Sequence, residues 1–394
     1  MRAVESRSPP TLAAPAPRPP GWRERWLAWR DRQLTSAQFQ QRAQRLWFLR
    51  PIVRRRARGL FDLVSGFVYS QVLLACVRVR AFEVLAEGPQ STAALAQRFA
   101  LPLESTERLL LAAASLGLVE HRRGGRWGLG VLGAPLVGNP ALLAMIEHHT
   151  LLYADLQDPL ALLRGEGEAP ALSRYWAYAE AAAPQDLQRA DVDAYSTLMS
   201  ASQPLVAQQV LDAYPLQDHR CLLDVGGGQG RFLIAAGQRH TGLRLMLFDL
   251  PAVVASATAA FAAYGMGERA EVHGGDFQRD ALPSGADIAS LVRVIYDHDD
   301  ATALAILRAV HRALPPGGTL LLAEPMAGAP GAPRMGDAYF GMYLLAMRGG
   351  RARSAAELTA LLHQAGFAQV RERATPIPLQ VGVLVCRRAG VNIN

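Results

Sequence analysis

CLLDVGGGQGRF, residues 221–232, is the stretch whose reading decides the fold. An apolar run ends in Asp224 and Val225, then breaks into glycines at 226, 228 and 230 before a helix-forming segment opens at Arg231. Glycine lets the backbone turn tightly and approach a ligand where a Cβ would clash. The helix that follows presents free N–H groups and a partial positive charge. The spacing is GxGxG, not the GxGxxG of a dinucleotide pyrophosphate site. Asp224 would oppose a diphosphate but suits an ammonium group. Asp249 closes the next apolar run, LRLMLFD, where a carboxylate can accept both hydroxyls of a ribose. Together these point to a nucleoside that carries an amino acid. A nicotinamide site or a merely structural turn is the competing reading.

Outward from that turn, CLLDV, LRLMLFD, AEVHG, ADIASLVRV and TLLLAE read as strands, each followed by a helical or looped stretch. Such alternation predicts an α/β fold with helices on both faces of a parallel sheet. VRERATPIPLQVGVLVCR adds a terminal strand pair. The expectation is therefore a Rossmann-like, doubly wound, seven-stranded mixed sheet over residues 216–388, with a short tail at 389–394. Upstream, residues 59–135 read as three helices and a hairpin around Gly124-Gly125, the order of a winged helix. Residues 136–215 read as a mostly helical connector that lines the substrate.

The net charge of +7 is not spread evenly. Residues 1–58 carry 14 Arg against 3 acids, and the rest of the chain is mildly acidic. The first twenty residues, rich in Pro, Ala and Arg, have little to bury and are expected to be disordered. Trp22, Trp26 and Trp29 then recur at i, i+4 and i+7 among arginines, on one face of a helix. That face suits peripheral membrane contact through residues 22–58, or docking on protein; both readings stand. No uninterrupted apolar run approaches the roughly 20 residues of a membrane span, and no cleavable leader is evident. The expected location is the cytoplasm. Cys76, Cys221 and Cys386 are isolated, so neither disulfide nor metal is expected. The helix from Glu104 to Val119 offers only Arg108 against Glu104 and Glu107, which argues against nucleic acid and against a DNA-binding regulator.

The run LLDVGGGQG, LFDLP, GGDF, LVRVIYDHDD and LLLAEP resembles the class I S-adenosylmethionine-dependent O-methyltransferases that carry an N-terminal winged-helix dimerisation domain, over about residues 60–388. The resemblance implies that Gly226, Gly228 and Gly230 cradle the methionine part of the cofactor. It implies that Asp249, with Leu250 beside it, holds the ribose, that Asp276 and Phe277 hold the adenine, and that Arg293 is the basic residue near them. It also implies a homodimer packed through the apolar helix from Phe67 to Leu85. RPIVRRRARGLFDLVSGFVYSQVLLACVR and LVRVIYDHDDA are most similar to the branch that methylates a tertiary hydroxyl on an acyclic carotenoid. A phenolic polyketide or a bacteriochlorophyll precursor is the alternative acceptor.

The chain departs from the family where phenolic members place a His base and its Glu partners. Tyr296 stands in the His position, followed by Asp297 and His298. Glu324 matches one Glu, and Ala352 replaces the other. Tyr296, His298 and Glu324 are the catalytic candidates, with Tyr296 better suited to orienting a hydroxyl than to deprotonating it. Candidates for lining the acceptor site are His148, His149, Tyr195, Met199, Tyr339, Tyr343 and Met347.

Overall fold

The structure, a computed structural model, describes residues 21–176, 189–328, 334–377 and 381–390, with backbone alone at 189–197, 201, 334 and 335. The expected disorder of the first twenty residues and the side chain of Tyr195 fall outside the described residues. The chain divides into two compact units, Met1–Leu73 and Leu74–Asn394.

The first unit is helical: α1 (Trp22–Thr35), α2 (Ala37–Arg45) and most of α3 (Arg50–Arg78). Ser36 separates the first two helices and caps the second, its side chain accepting the Phe39 N–H. In α3, Leu60, Phe61, Leu63, Val64 and Phe67 are each more than 60% exposed, a far larger apolar surface than scattered singles would give. By length and composition α3 could cross a membrane, with mean hydropathy 1.8 over an 18-residue window of which 17% is buried. Its sequence holds no long uninterrupted apolar run, because Asp62, Ser65 and Ser70 punctuate it.

The second unit opens with the expected winged helix. α4 (Ala81–Ala86), α5 (Thr92–Phe99) and α6 (Leu103–Ser115) pack with strands β1 (Gln90–Ser91), β2 (Val119–Arg122) and β3 (Arg126–Leu129), in sheet order β1-β3-β2. Gly124 and Gly125 both take positive φ, which the tight β2–β3 turn requires. Trp127 is buried, and its Nε1 donates to Thr92 Oγ1 at 3.0 Å, tying hairpin to helix. Then come α7 (Pro140–Asp155), α8 (Pro159–Arg164), α9 (Ala171–Tyr175) and α10 (Arg189–Ala213).

The remainder is a seven-stranded sheet. Its strands are β4 (Cys221–Val225), β5 (Arg244–Asp249), β6 (Ala270–Gly274), β7 (Ile288–Val292), β8 (Thr319–Glu324), β9 (Phe367–Arg373) and β10 (Gly382–Arg388), in order β6-β5-β4-β7-β8-β10-β9. The first five run parallel, and β10 joins antiparallel to both β8 and β9. Alternate residues feed two cores: Leu223, Leu291 and Leu322 face one side, Leu222, Ile288 and Leu321 the other. That two-sided burial is why these strands read as continuous apolar runs. The chain reverses direction of travel across the sheet between β4 and β7. Ligands of such sheets bind at that point, beyond the carboxyl ends of the strands. The glycine turn lies there.

Candidate active site

The turn after β4 is held open by its glycines. Gly226 and Gly230 take φ of 70° and 74°, and a Cβ would lie 2.8 Å from Val294 Cγ2 at the first and 2.6 Å from Phe261 Cζ at the second. Both the left-handed backbone and the lack of room demand glycine. Helix α11 (Arg231–Arg239) starts directly after it. Asp249 ties the turn from the neighbouring strand: one carboxylate oxygen accepts the Gly228 N–H at 2.7 Å, the other the Leu250 N–H at 2.7 Å. Each oxygen keeps a lone pair for a ligand hydroxyl.

Asp224 is 1% exposed, and β4 sets it opposite Ser290 of β7, whose hydroxyl donates to its Oδ1 at 2.6 Å. Its Oδ2 has no hydrogen-bond partner among the described residues. A buried carboxylate oxygen left unpaired is costly, and a ligand cation is the natural complement. Burial pushes Asp224 up to about 7, the Ser290 hydrogen bond opposing, and Asp249 up to about 6.

Gly226, Gly228 and Asp249, with Leu250, Asp276, Phe277, Arg293 and His298, border one cavity of about 160 Å³, and Asp224 Oδ2 lies behind Gly227 of its wall. Asp276 is buried in a turn of its own, its Oδ1 accepting the Gln278 N–H and its N–H donating to Asp280. Phe277 meets His298 edge to face at 5.4 Å. Arg293 takes φ of 61°, strained for a residue with a Cβ, and its guanidinium donates to Ser202 Oγ at 2.9 Å. Of the cofactor-site residues expected from the sequence, Gly226, Gly228, Asp249, Leu250, Asp276, Phe277 and Arg293 border this cavity, while Asp224 and Gly230 lie behind its glycine wall. Trp176 and Met199 complete the rim.

The catalytic candidates separate. Tyr296 sits on a short 3-10 turn, Ile295–Asp297, buried against Phe340. Burial first, then Asp297, hold its phenol far above the usual range, which suits a neutral hydroxyl that orients an acceptor. Glu324, at the end of β8, is 1% exposed; its Oε1 accepts the N–H groups of Val294 and Ile295 at 3.0 and 2.7 Å. Burial raises it to about 8. Through those two N–H groups it anchors the turn that carries Arg293 and Tyr296. His298 does border the cavity; burial lowers it to about 4, leaving a neutral, weakly basic ring.

The sequence reading missed Arg353. It is 1% exposed and donates to the carbonyls of Ile295 and His298 at 2.9 and 2.7 Å and to Asp300 at 2.8 Å, clamping the same turn from the other side. Its signal was present in GGRARS, where only Ala352 drew notice.

Trp176 belongs to an apolar cluster that includes Leu152, Leu172, Val253 and Met347 and contains Tyr175, Tyr296, Tyr339 and Tyr343. His148 Nε2 is 2.8 Å from Tyr343 Oη, which also accepts from Trp176 Nε1 at 2.9 Å. His149 Nε2 is 2.8 Å from Tyr339 Oη. Tyr339 rides on a π-helix, Arg334–Phe340, that leads into α12 (Gly341–Met347). Such turns are rare and cluster at functional sites. Of the lining candidates, Met199 borders the cofactor cavity; His148, His149, Tyr339, Tyr343 and Met347 form or flank this cluster instead.

Residues 153–368 match the O-methyltransferase domain family, and residues 61–137 the O-methyltransferase dimerisation domain. The chain belongs to the O-methyltransferase family. It is 46% identical over 336 residues to the demethylspheroidene O-methyltransferase of Cereibacter sphaeroides, covering 85% of this chain and 88% of that one. To the protein of the same name from Rhodobacter capsulatus it is 40% identical, covering 88% and 86%. Human N-acetylserotonin methyltransferase, solved in complex with SAM, superposes with a TM-score of 0.70 at 25% identity, over 85% of this chain and 98% of that one. This O-methyltransferase uses S-adenosylmethionine and transfers its methyl group to a hydroxyl. The exposed apolar face of α3 belongs in part to its dimerisation domain.

The residues present fit that cofactor. The glycine cradle leaves space that a Cβ would fill, and the orphaned Asp224 oxygen matches an ammonium. A pH dependence follows for this O-methyltransferase. Below about 7 Asp224 is protonated in the free chain, and below about 6 so is Asp249. An ammonium beside Asp224 and hydroxyls donating to Asp249 both favour the ionised carboxylates, so a ligand held in this way releases protons on binding. Affinity for S-adenosylmethionine should rise by up to about tenfold per pH unit as each carboxyl ionises, then fall above about pH 8 as the ligand's own α-amino group loses its proton. Calorimetry in buffers of different ionisation enthalpy measures the protons released; zero release at pH 6.5 would contradict the assignment.

Proposed function

We propose that the acceptor is a long apolar molecule, an acyclic carotenoid with a terminal tertiary hydroxyl. The observation that carries this is the 46% and 40% identity to two proteins named demethylspheroidene O-methyltransferase. The apolar cluster beside the cofactor cavity is of the chemistry that such a chain requires. Gly226, Gly228 and Gly230 would carry the methionine part, with Asp224 on its ammonium. Asp249 would hold the ribose beside Leu250, and Asp276 and Phe277 the adenine. When bound, S-adenosylmethionine supplies a methyl group already activated on a sulfonium.

The protein's task is to hold the hydroxyl in line, keep water out and take one proton. Alignment alone can contribute roughly 7–11 kcal/mol. For the proton, His149 is the better acceptor than Tyr296 or His298. Its Nδ1 lies 2.5 Å from the Met145 carbonyl, which can only accept, so the proton sits on Nδ1 and Nε2 offers a bare lone pair. Tyr339 must then donate to Nε2. As the acceptor oxygen took the methyl group, the sulfonium–methyl bond would break to leave a neutral thioether, and the oxygen would give its proton to Tyr339 Oη while Tyr339 passed its own to His149 Nε2. The imidazolium so formed keeps its hydrogen bond to Met145. Tyr296 and Tyr343 orient the hydroxyl, and His148 supports Tyr343. The acceptor comes from a membrane, which the chain meets peripherally through residues 22–58.

The test is incubation of the purified chain with methyl-labelled cofactor and a panel of micelle-dispersed acceptors. Label in the ether of hydroxylated acyclic carotenoids is expected. Label only in phenolic or porphyrin-type acceptors would overturn the substrate class.

A further inference from the structure

The arrangement of α1 deepens that last point and rests on it for the source of the acceptor. None of its residues is buried, and Trp22, Trp26 and Trp29 are 83%, 53% and 52% exposed. At about 100° per residue the three indoles span only about 60° of the helix. Arg23 and Arg30 fall roughly 70–90° to one side of that stripe, and Arg25 and Arg32 as far to the other. Glu24 and Asp31, the only acids on the helix, fall roughly opposite the indoles.

We propose that α1 is a docking helix for an anionic lipid surface. Laid flat with the indoles down, it sets Trp22, Trp26 and Trp29 at headgroup depth. Its four arginines then reach sideways to lipid phosphates, and both acids turn to water. Arg30 pairs with Asp31 and lies 5.7 Å from the Trp26 ring, an exposed pairing that a phosphate can replace at little cost. The surface continues along the chain. Trp47 and Phe48 are 79% and 55% exposed, and Arg42, Arg45, Arg50, Arg54, Arg55, Arg56 and Arg58 are all exposed. Residues 22–58 thus hold 11 arginines against two acids.

Charge decides the occupant. Two such arms brought together would repel, whereas an anionic bilayer neutralises them. Docked there, the chain meets an acceptor that does not leave the bilayer.

The test uses the full chain and vesicles of phosphatidylcholine with or without phosphatidylglycerol. Co-sedimentation with the anionic vesicles is expected, weakening with salt. It should fall at least about tenfold in Trp22→Ala/Trp26→Ala/Trp29→Ala, and likewise in Arg23→Gln/Arg25→Gln/Arg30→Gln/Arg32→Gln. Circular dichroism and methylation of micelle-dispersed acceptor should be unchanged in both, which separates lost docking from lost folding. Variants that sediment like the wild type, or equal binding to neutral vesicles, would overturn the proposal. So would loss of self-association in place of loss of lipid binding, since the face would then join two copies. Vesicle binding requires no acceptor. A chain that docks but methylates no carotenoid would refute the substrate class and leave the docking helix standing.

Discussion

Tyr339→Phe lowers kcat by about 10²–10³-fold, while the affinity for S-adenosylmethionine stays within about twofold. The magnitude is that of a positioned acid–base group. Phe keeps the ring, so its packing against Tyr343 and Phe340 at 5.8 and 4.9 Å survives. The variant deletes one oxygen, and with it the path from the acceptor hydroxyl to His149. His149→Gln should cost a similar factor, and the double variant little more than either, because the two act as one unit. Burial holds His149 below the usual histidine range, opposed by the Met145 hydrogen bond, so the ring is neutral at pH 7 and able to accept. The sign follows directly: kcat falls only on the acid side, where His149 is already protonated. In His149→Gln that acid limb should disappear. Steady-state and single-turnover rates from pH 5 to 9 check this. Full activity in Tyr339→Phe would remove the relay from the mechanism.

Asp249→Ala has the next largest effect. It weakens binding of S-adenosylmethionine and of its demethylated product alike, by about 10²-fold or more, taking roughly 1.5–3 kcal/mol for each hydrogen bond to a charged group. Part of the loss arises in the protein itself. Gly228 and Leu250 lose the acceptor of their N–H groups, and the turn after β4 loses its tie to β5. Asp249→Asn keeps one acceptor oxygen and should fall between the two. Thermal melting of the free chain separates the contributions, since a ribose contact is absent there and a loosened turn is not.

The sheet and the cofactor end were legible because their signals are local. Two-sided burial turned β4, β7 and β8 into nearly continuous apolar runs, and Gly226, Gly228, Gly230, Asp224 and Asp249 lie within a few dozen residues of one another. The proposed proton relay was legible only as separate lining candidates, because its partners are distant in sequence. His149 and Tyr339 are 190 residues apart and meet only because α7 packs beside a π-helix that no periodicity announces. Arg353 reaches back more than fifty residues to the Ile295 carbonyl. Tyr296 attracted notice by its place in a motif, yet burial rather than position decides whether a phenol can ionise. Glu324 occupies its motif position for a comparable reason: Val294 and Ile295 require an acceptor there.

Isothermal titration of the free chain with S-adenosylhomocysteine is the most direct measurement of all, because the glycine turn and the two carboxylates carry the rest. One saturable site per chain is predicted, with uptake coupled to proton release and abolished or strongly weakened in Asp249→Ala. No uptake of that nucleoside, with tight binding of a nicotinamide dinucleotide in its place, would contradict the account at its base.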